Sequence, residues 1–156
     1  MTQAERLVEF LKARGLKCAT AESCTGGGIG AAITSVPGAS DVFLGGVVSY
    51  ANEVKRDVLG VSQATLDSVG AVSGETAAQM AAGARRLTKA DLAVSVTGIA
   101  GPGGGTPEKP VGLVWFGLAT ERGVRTEKAL FVGDRETVRA KAVVHALGML
   151  TVGAMA

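Results

Sequence analysis

Thr20-Ala21-Glu22-Ser23-Cys24-Thr25-Gly26-Gly27-Gly28 places two hydroxyls and a thiol just ahead of three glycines. The stretch follows a short strand-like run and precedes a run of small residues with helical character. A nucleophile there sits beside the outward-facing N–H groups of a new helix, so attack and anion stabilisation are available in one place. Ser23 is the leading nucleophile. Serine is also a common helix N-cap, but Thr25 is able to cap instead and leave Ser23 free. Cys24 is the rival, because a helix N-terminus lowers a thiol pKa, although a free cysteine more often just packs. The backbone of Cys24, Thr25, Gly26 and Gly27 is expected to contact substrate through its N–H groups.

A serine needs a base. The only histidine, His145, falls deep in the last helical segment, where packing is the commoner role, so no Ser-His-Asp arrangement is offered. Lys55, just after the second strand-like run, remains. Lysine serves as a base when burial lowers its pKa, whereas the neighbouring Arg56 has the character of an exposed cation. Arg135 and Arg139 lie one helical turn apart and could face a common phosphate. The stretch Gly101-Pro102-Gly103-Gly104-Gly105 could wrap an anion with backbone N–H groups or simply connect two strands. Glu75, Glu108 and Asp134 are isolated, so there is no carboxylate pair for glycoside chemistry, and no Cys/His/Asp/Glu cluster suggests a metal. Gly26 to Ala31 satisfies the dinucleotide pattern G-x-G-x-x-A. Adjacent glycines make that match easy, however, and the second strand ends Val47-Val48-Ser49-Tyr50 without a ribose-binding acid. No cofactor is expected.

The elements that must position these groups alternate. Thr2 and Glu5 form a capping-box pattern opening a helix to Arg14, which Gly15 ends. Strands are predicted over 16–22, 43–50 with a bulge at Gly45-Gly46, 92–97, 111–119 and 124–132. Helices are predicted over 26–35, 52–59, 65–69, 73–87 and from Asp134 to Gly148 or beyond. Arg122-Gly123 turns the last two strands into a hairpin. The pattern predicts an α/β fold, a sandwich with a mixed, mostly parallel sheet. In such a sheet the loops after parallel strands share one carboxyl edge, which brings together Ser23, the Tyr50–Lys55 segment and the loop from Thr97 to Gly105. If the fifth strand runs with the first, Asp134, Arg135 and Arg139 join them.

The 156 residues suit one domain, with 47% hydrophobic and 19% charged residues. Aromatics make up only 4% and the formal charge is +2, which argues against nucleic acid. With two cysteines, Cys18 and Cys24, no signal-peptide pattern and no uninterrupted apolar run of membrane-spanning length, the expected setting is the reducing cytoplasm. The richness in Ala, Val and Gly makes a homodimer or larger homo-oligomer the expectation.

Taken together, several blocks resemble the C-terminal domain of the competence/damage-inducible protein CinA. They are Thr20 to Gly27, Ser49-Tyr50-Ala51-Asn52-Glu53-Val54-Lys55, Gly70-Ala71-Val72-Ser73, Thr97 to Pro102, Lys109-Pro110-Val111-Gly112 and Gly133-Asp134-Arg135-Glu136. The resemblance covers nearly the whole chain. Stand-alone members of that family include nicotinamide-nucleotide amidohydrolases. The resemblance implies a three-layer α/β/α domain with a five-stranded mixed sheet, and deamidation of nicotinamide mononucleotide to nicotinate mononucleotide and ammonia. It puts the catalytic serine on Ser23 and the lysine on Lys55. Tyr50, Thr97 and either Arg135 or Arg139 are further contributors. Gly28 departs from the family pattern, where a bulkier side chain commonly stands, and is expected to alter the ring pocket. Longer relatives carry an N-terminal pyrophosphatase domain. This chain starts at the first helix of the amidohydrolase-like part, so that activity is not expected. The alternative function is a non-catalytic nucleotide-binding or assembly module, which would give Ser23 and Lys55 no joint role.

Overall fold

A computed structural model describes all 156 residues. The elements run α1 (Gln3–Arg14), β1 (Cys18–Glu22), α2 (Gly28–Thr34), β2 (Phe43–Val48), α3 (Asn52–Asp57), α4 (Gln63–Ser68), α5 (Gly74–Thr88), β3 (Leu92–Gly98), β4 (Leu113–Thr120), β5 (Gly123–Leu130) and α6 (Arg135–Met155). Three of the caps read from the sequence are formed, whereas Thr25 does not cap α2: its hydroxyl donates to Glu22, and the N-cap is Gly27, without a side-chain bond. The Thr2–Glu5 capping box opens α1, Ser73 accepts from the Thr76 N–H, and Asp134 accepts from the Thr137 N–H. Such caps satisfy backbone donors that a helix start would otherwise leave unpaired.

The five-stranded sheet has the order β2-β1-β3-β4-β5. Strand β1 pairs in parallel with β2 and β3, while β3–β4 and β4–β5 are antiparallel. Four strands therefore point the same way, but the pairings divide evenly, so "mostly parallel" holds for strand direction and not for the ladders. A bulge is present one residue before the expected glycine pair: Cys18 pairs with Phe43 and Ala19 with Gly45, leaving Leu44 unopposed.

Alternate strand residues feed two hydrophobic clusters. Cys18, Val94, Val96, Val114 and Phe116 pack with residues of α1, α2 and α6, whereas Ala19, Ala21 and Ala93 pack with Met80 and Ala84 of α5. Helix α6 is long and apolar enough, by length and composition, to cross a bilayer, which the broken apolar runs of the sequence did not suggest. Here it is a core helix, with Val138, Ala142, Ala146 and Leu150 buried. His145 stacks on Phe116 at 4.2 Å between centroids and hydrogen-bonds Glu127 Oε1 at 3.0 Å, the packing role expected of it.

Helix α2 starts two residues later than predicted. Gly26 and Gly27 have φ of 59° and 101°, outside the helical range, so Gly27 is the N-cap and the first helical residue is Gly28. Residues 23–26 thus form a turn between β1 and the Gly27 cap of α2, at the carboxyl edge of the sheet.

Candidate active site

Strands β1 and β2 lie side by side and end at the same edge, which brings Ser23 and the segment after β2 together. The Ala51 carbonyl starts α3 by accepting from the Lys55 N–H, and the Lys55 side chain turns back under the strand ends. It is 1% exposed. Its Nζ lies 3.1 Å from Ser23 Oγ, 2.7 Å from the Ser49 carbonyl oxygen and 3.1 Å from that of Tyr50. The position of Ser49 is set in turn by Glu22, whose carbonyl accepts both the Ser49 N–H and its hydroxyl. Burial lowers the Lys55 pKa from its ordinary 10.5, opposed by the neighbouring Cys24 sulfur. A neutral amine has two N–H bonds and one lone pair. With the two carbonyls taking the N–H bonds, the lone pair is left for the Ser23 hydroxyl.

Ser23, Cys24, Tyr50, Lys55, Thr97 and Arg135 line one cavity of about 200 Å³, together with Asn52, Ala71, Val72, Gly98 and Ala100. A larger one of about 720 Å³, walled by Trp115 and Lys128, adjoins it across the shared Val72. Thr97 Oγ1 donates to the Ala71 carbonyl at 2.9 Å, so in this arrangement its proton is committed and the hydroxyl faces the cavity as an acceptor. Tyr50 is 63% exposed, and its hydroxyl accepts from Arg135 Nη2 at 3.3 Å. The other arm of Arg135 donates to the Gly101 carbonyl at 2.9 Å.

The two arginines do not share a target. Arg139 Nε donates to the Cys24 carbonyl at 3.0 Å and Nη2 to that of Thr25 at 3.3 Å, and Arg139 does not line the cavity. Gly101 is buried, but Gly103 and Gly104 are exposed and neither lines the cavity. Gly28 does not line it either: a Cβ there would meet Val143 Cγ2 of α6 at 3.0 Å, so this glycine sets helix packing rather than pocket shape.

Cys24 is 6% exposed, and its thiol is pushed up to about 11. Burial outweighs the lowering by its own backbone N–H and by Arg139. A helix-activated thiolate is therefore not formed, and Cys18 is held higher still, at about 12, by burial.

Glu22 is the residue that spacing alone did not reveal. It is 2% exposed and its carboxylate accepts from Thr25 Oγ1 at 2.6 Å, the Ile29 N–H at 2.9 Å and the Gly30 N–H at 3.0 Å. The Gly28 N–H goes to the Thr25 carbonyl and the Gly26 N–H to that of Ser23. Of the four N–H groups expected to meet substrate, only that of Gly26 is thus already used. Those of Cys24, Thr25 and Gly27 donate to no oxygen of the protein. An acid at the end of a buried strand, seven residues before the Ile29 amide it holds, was the available signal.

A family model for the CinA C-terminal domain matches residues 1–152. A putative competence-damage inducible protein of Caldanaerobacter subterraneus is 53% identical over 146 residues, which is 94% of this chain and 35% of that protein. The chain thus spans just over a third of the length of the curated relatives it matches first. The nicotinamide-nucleotide amidohydrolase PncC of Escherichia coli is 48% identical over 151 residues, 96% of this chain and 92% of that one. The crystal structure of the competence/damage inducible protein CihA from Agrobacterium tumefaciens superimposes with a TM-score of 0.95 at 45% identity, covering 99% of this chain and 94% of that one. A fold shared at that level and a domain match running almost end to end leave one conclusion: this chain belongs to the CinA C-terminal domain family.

Proposed function

We propose that the chain hydrolyses the carboxamide of nicotinamide mononucleotide, giving nicotinate mononucleotide and ammonia. The observation that carries this reading is the 3.1 Å approach of a buried lysine amine to a serine hydroxyl that lines a cavity. The amidohydrolase name of a relative of nearly the same length, 48% identical, supplies the substrate class.

Neutral Lys55 takes the Ser23 proton as Oγ attacks the carboxamide carbon. The resulting oxyanion is met by N–H groups of the turn after Ser23 that donate to no oxygen of the protein. Lys55 then returns the proton to the departing nitrogen, the C–N bond breaks and ammonia leaves, with the acyl group held as an ester on Ser23. Water, giving its proton to Lys55, attacks that ester, and Ser23 leaves as its hydroxyl. Every proton moves between Lys55 and an atom within its reach.

The cavity of about 200 Å³ is smaller than the roughly 300–1,000 Å³ of complete ligand pockets, and suits the pyridine ring and its amide. The ribose phosphate then passes out between Tyr50 and Arg135, with Arg135 as the phosphate's partner. Thr97 orients the carboxamide by accepting from its N–H. The protein works in the cytoplasm, consistent with its two free cysteines, and as a homodimer or larger homo-oligomer. What supports assembly is the edge strand β2, which exposes Leu44 and Val48. Light scattering at micromolar protein checks the oligomeric state.

Ammonia release from nicotinamide mononucleotide tests the activity. Wild type is expected to turn over, and Ser23→Ala and Lys55→Ala to lose at least about a thousandfold in kcat. Undiminished turnover in both variants removes the mechanism. Tight binding of the mononucleotide with no product at saturating protein favours the non-catalytic module instead.

A further inference from the structure

We infer that Arg139 is a positioning residue: by gripping the Cys24 and Thr25 carbonyls it aims the Thr25 and Cys24 N–H groups as the oxyanion hole. The inference rests on the reading of Ser23 as nucleophile.

The argument follows the peptide planes. In a trans peptide the C=O of one residue and the N–H of the next point in opposite directions, and the plane turns as a unit. Arg139 Nε holds the Cys24 carbonyl at 3.0 Å, so the Thr25 N–H is turned away from the guanidinium. Arg139 Nη2 holds the Thr25 carbonyl at 3.3 Å, which fixes the plane carrying the Gly26 N–H. That N–H donates to the Ser23 carbonyl at 3.1 Å and so fixes the plane carrying the Cys24 N–H. One planar fork therefore sets two consecutive N–H groups directly after the nucleophile, and neither donates to an oxygen of the protein. Two adjacent N–H groups beside a serine Oγ are the donors that a tetrahedral oxyanion needs.

The site is built for this contact. Gly26 lies against the guanidinium, where a Cβ would come within 3.3 Å of Arg139 Nη2. Opposite, the Glu22 carboxylate ties Thr25 Oγ1 and the start of α2, so the turn is pinned at both ends. A lysine ammonium lacks the rigid planar pair of donors that spans the Cys24 and Thr25 carbonyls, and cannot reproduce the fork. Arg139 faces protein carbonyls with Nε and Nη2, whereas Arg135 lines the cavity, so the two arginines have separate tasks.

The test compares Arg139→Lys and Arg139→Gln with wild type on nicotinamide mononucleotide and on its riboside, which lacks the phosphate. The expected result is a kcat loss of about a hundredfold on both substrates, as for removal of an oxyanion donor, with KM within about threefold and lysine milder than glutamine. A loss confined to the phosphorylated substrate and expressed in KM overturns the inference and makes Arg139 a phosphate ligand. Unchanged kcat on both substrates also overturns it. A serine-directed fluorophosphonate, whose P=O occupies the oxyanion position, gives an independent readout by mass spectrometry of the Ser23 peptide. Slower labelling in both variants, each with a cooperative melt like that of wild type, supports the inference, and labelling as fast as wild type overturns it. Wild type labelled at Ser23 but silent on the mononucleotide removes the proposed substrate and leaves the role of Arg139 standing.

Discussion

If Ser23 and Lys55 act as one unit, their removals must not add. The perturbation is a cycle of Ser23→Ala, Lys55→Met and the double variant. Methionine fills the lysine's volume in a site where the side chain is 1% exposed, and it removes only the amine. Lys55 Nζ is 3.1 Å from Ser23 Oγ, and no other basic side chain hydrogen-bonds that hydroxyl. Without the amine the proton has no acceptor, and without the hydroxyl the amine has nothing to activate. Each single variant is expected to lose about 10⁴–10⁶-fold in kcat and the double variant no more than either, as residues of a catalytic unit do. Independent contributions would multiply, to about 10⁸-fold or beyond, below any measurable rate. The assay is coupled ammonia detection at saturating nicotinamide mononucleotide, with far-UV circular dichroism on each variant. The pH profile supplies a second reading. Burial holds the Lys55 pKa below 10.5, so the amine is charged and inactive at low pH and becomes neutral as pH rises through its lowered pKa. Wild-type kcat/KM should climb with pH and level off below 10.5, and the residual rate of Lys55→Met should lack that limb. A Lys55→Met enzyme within about tenfold of wild type, or a wild-type rate that falls across that range, would refute the assignment of Lys55 as base.

Other perturbations reach separate parts of the site. Arg135→Ala, which removes the guanidinium at the Tyr50 and Gly101 rim, should raise KM for the mononucleotide about tenfold or more and leave the riboside within about twofold, a difference read by steady-state kinetics. Glu22→Gln turns one of the carboxylate's acceptor positions into a donor facing a donor. It should cost about 1–3 kcal/mol, and at this chain length lower Tm by roughly 2–4 °C per kcal/mol on thermal unfolding. Cys24→Ala should keep kcat within about threefold, because a thiol held near 11 supplies no thiolate at neutral pH. Rapid loss of wild-type activity to iodoacetamide at pH 7 would contradict that.

Ser23 and Lys55 were readable because topology alone carries them. Once strand and helix alternate, the residues after neighbouring parallel strands must share an edge, and a chain with one packed histidine has few other bases. The caps at Thr2, Ser73 and Asp134 were readable because a cap is a local contact between residues three apart. What spacing could not supply was the partner each polar group would take. Arg135 and Arg139 sit one turn apart, yet one fork reaches Gly101 and Tyr50 and the other reaches Cys24 and Thr25. The glycines at 103 and 104 signalled an irregular loop, and no periodicity says which way such a loop folds; these two stay exposed and outside the cavity.

These differences share a physical cause. The start of α2 and the guanidinium of Arg139 were among the features most like an anion site, and the protein engages the Ile29 and Gly30 N–H groups of the one and the fork of the other with its own acceptors, the Glu22 carboxylate and two backbone carbonyls. Donors so engaged are unavailable to a phosphate, but they are what holds the turn rigid. A serine whose Oγ must keep its distance from a lysine on another element needs such a turn, since a misplacement of about 1 Å is enough to cost a hundredfold in rate. On the proposed reading, rigidity at Ser23 and recognition of a phosphate are therefore demands on different donors. The guanidinium left to reach outward is that of Arg135, whose two contacts, an exposed tyrosine hydroxyl and one loop carbonyl, are ones an incoming anion can replace.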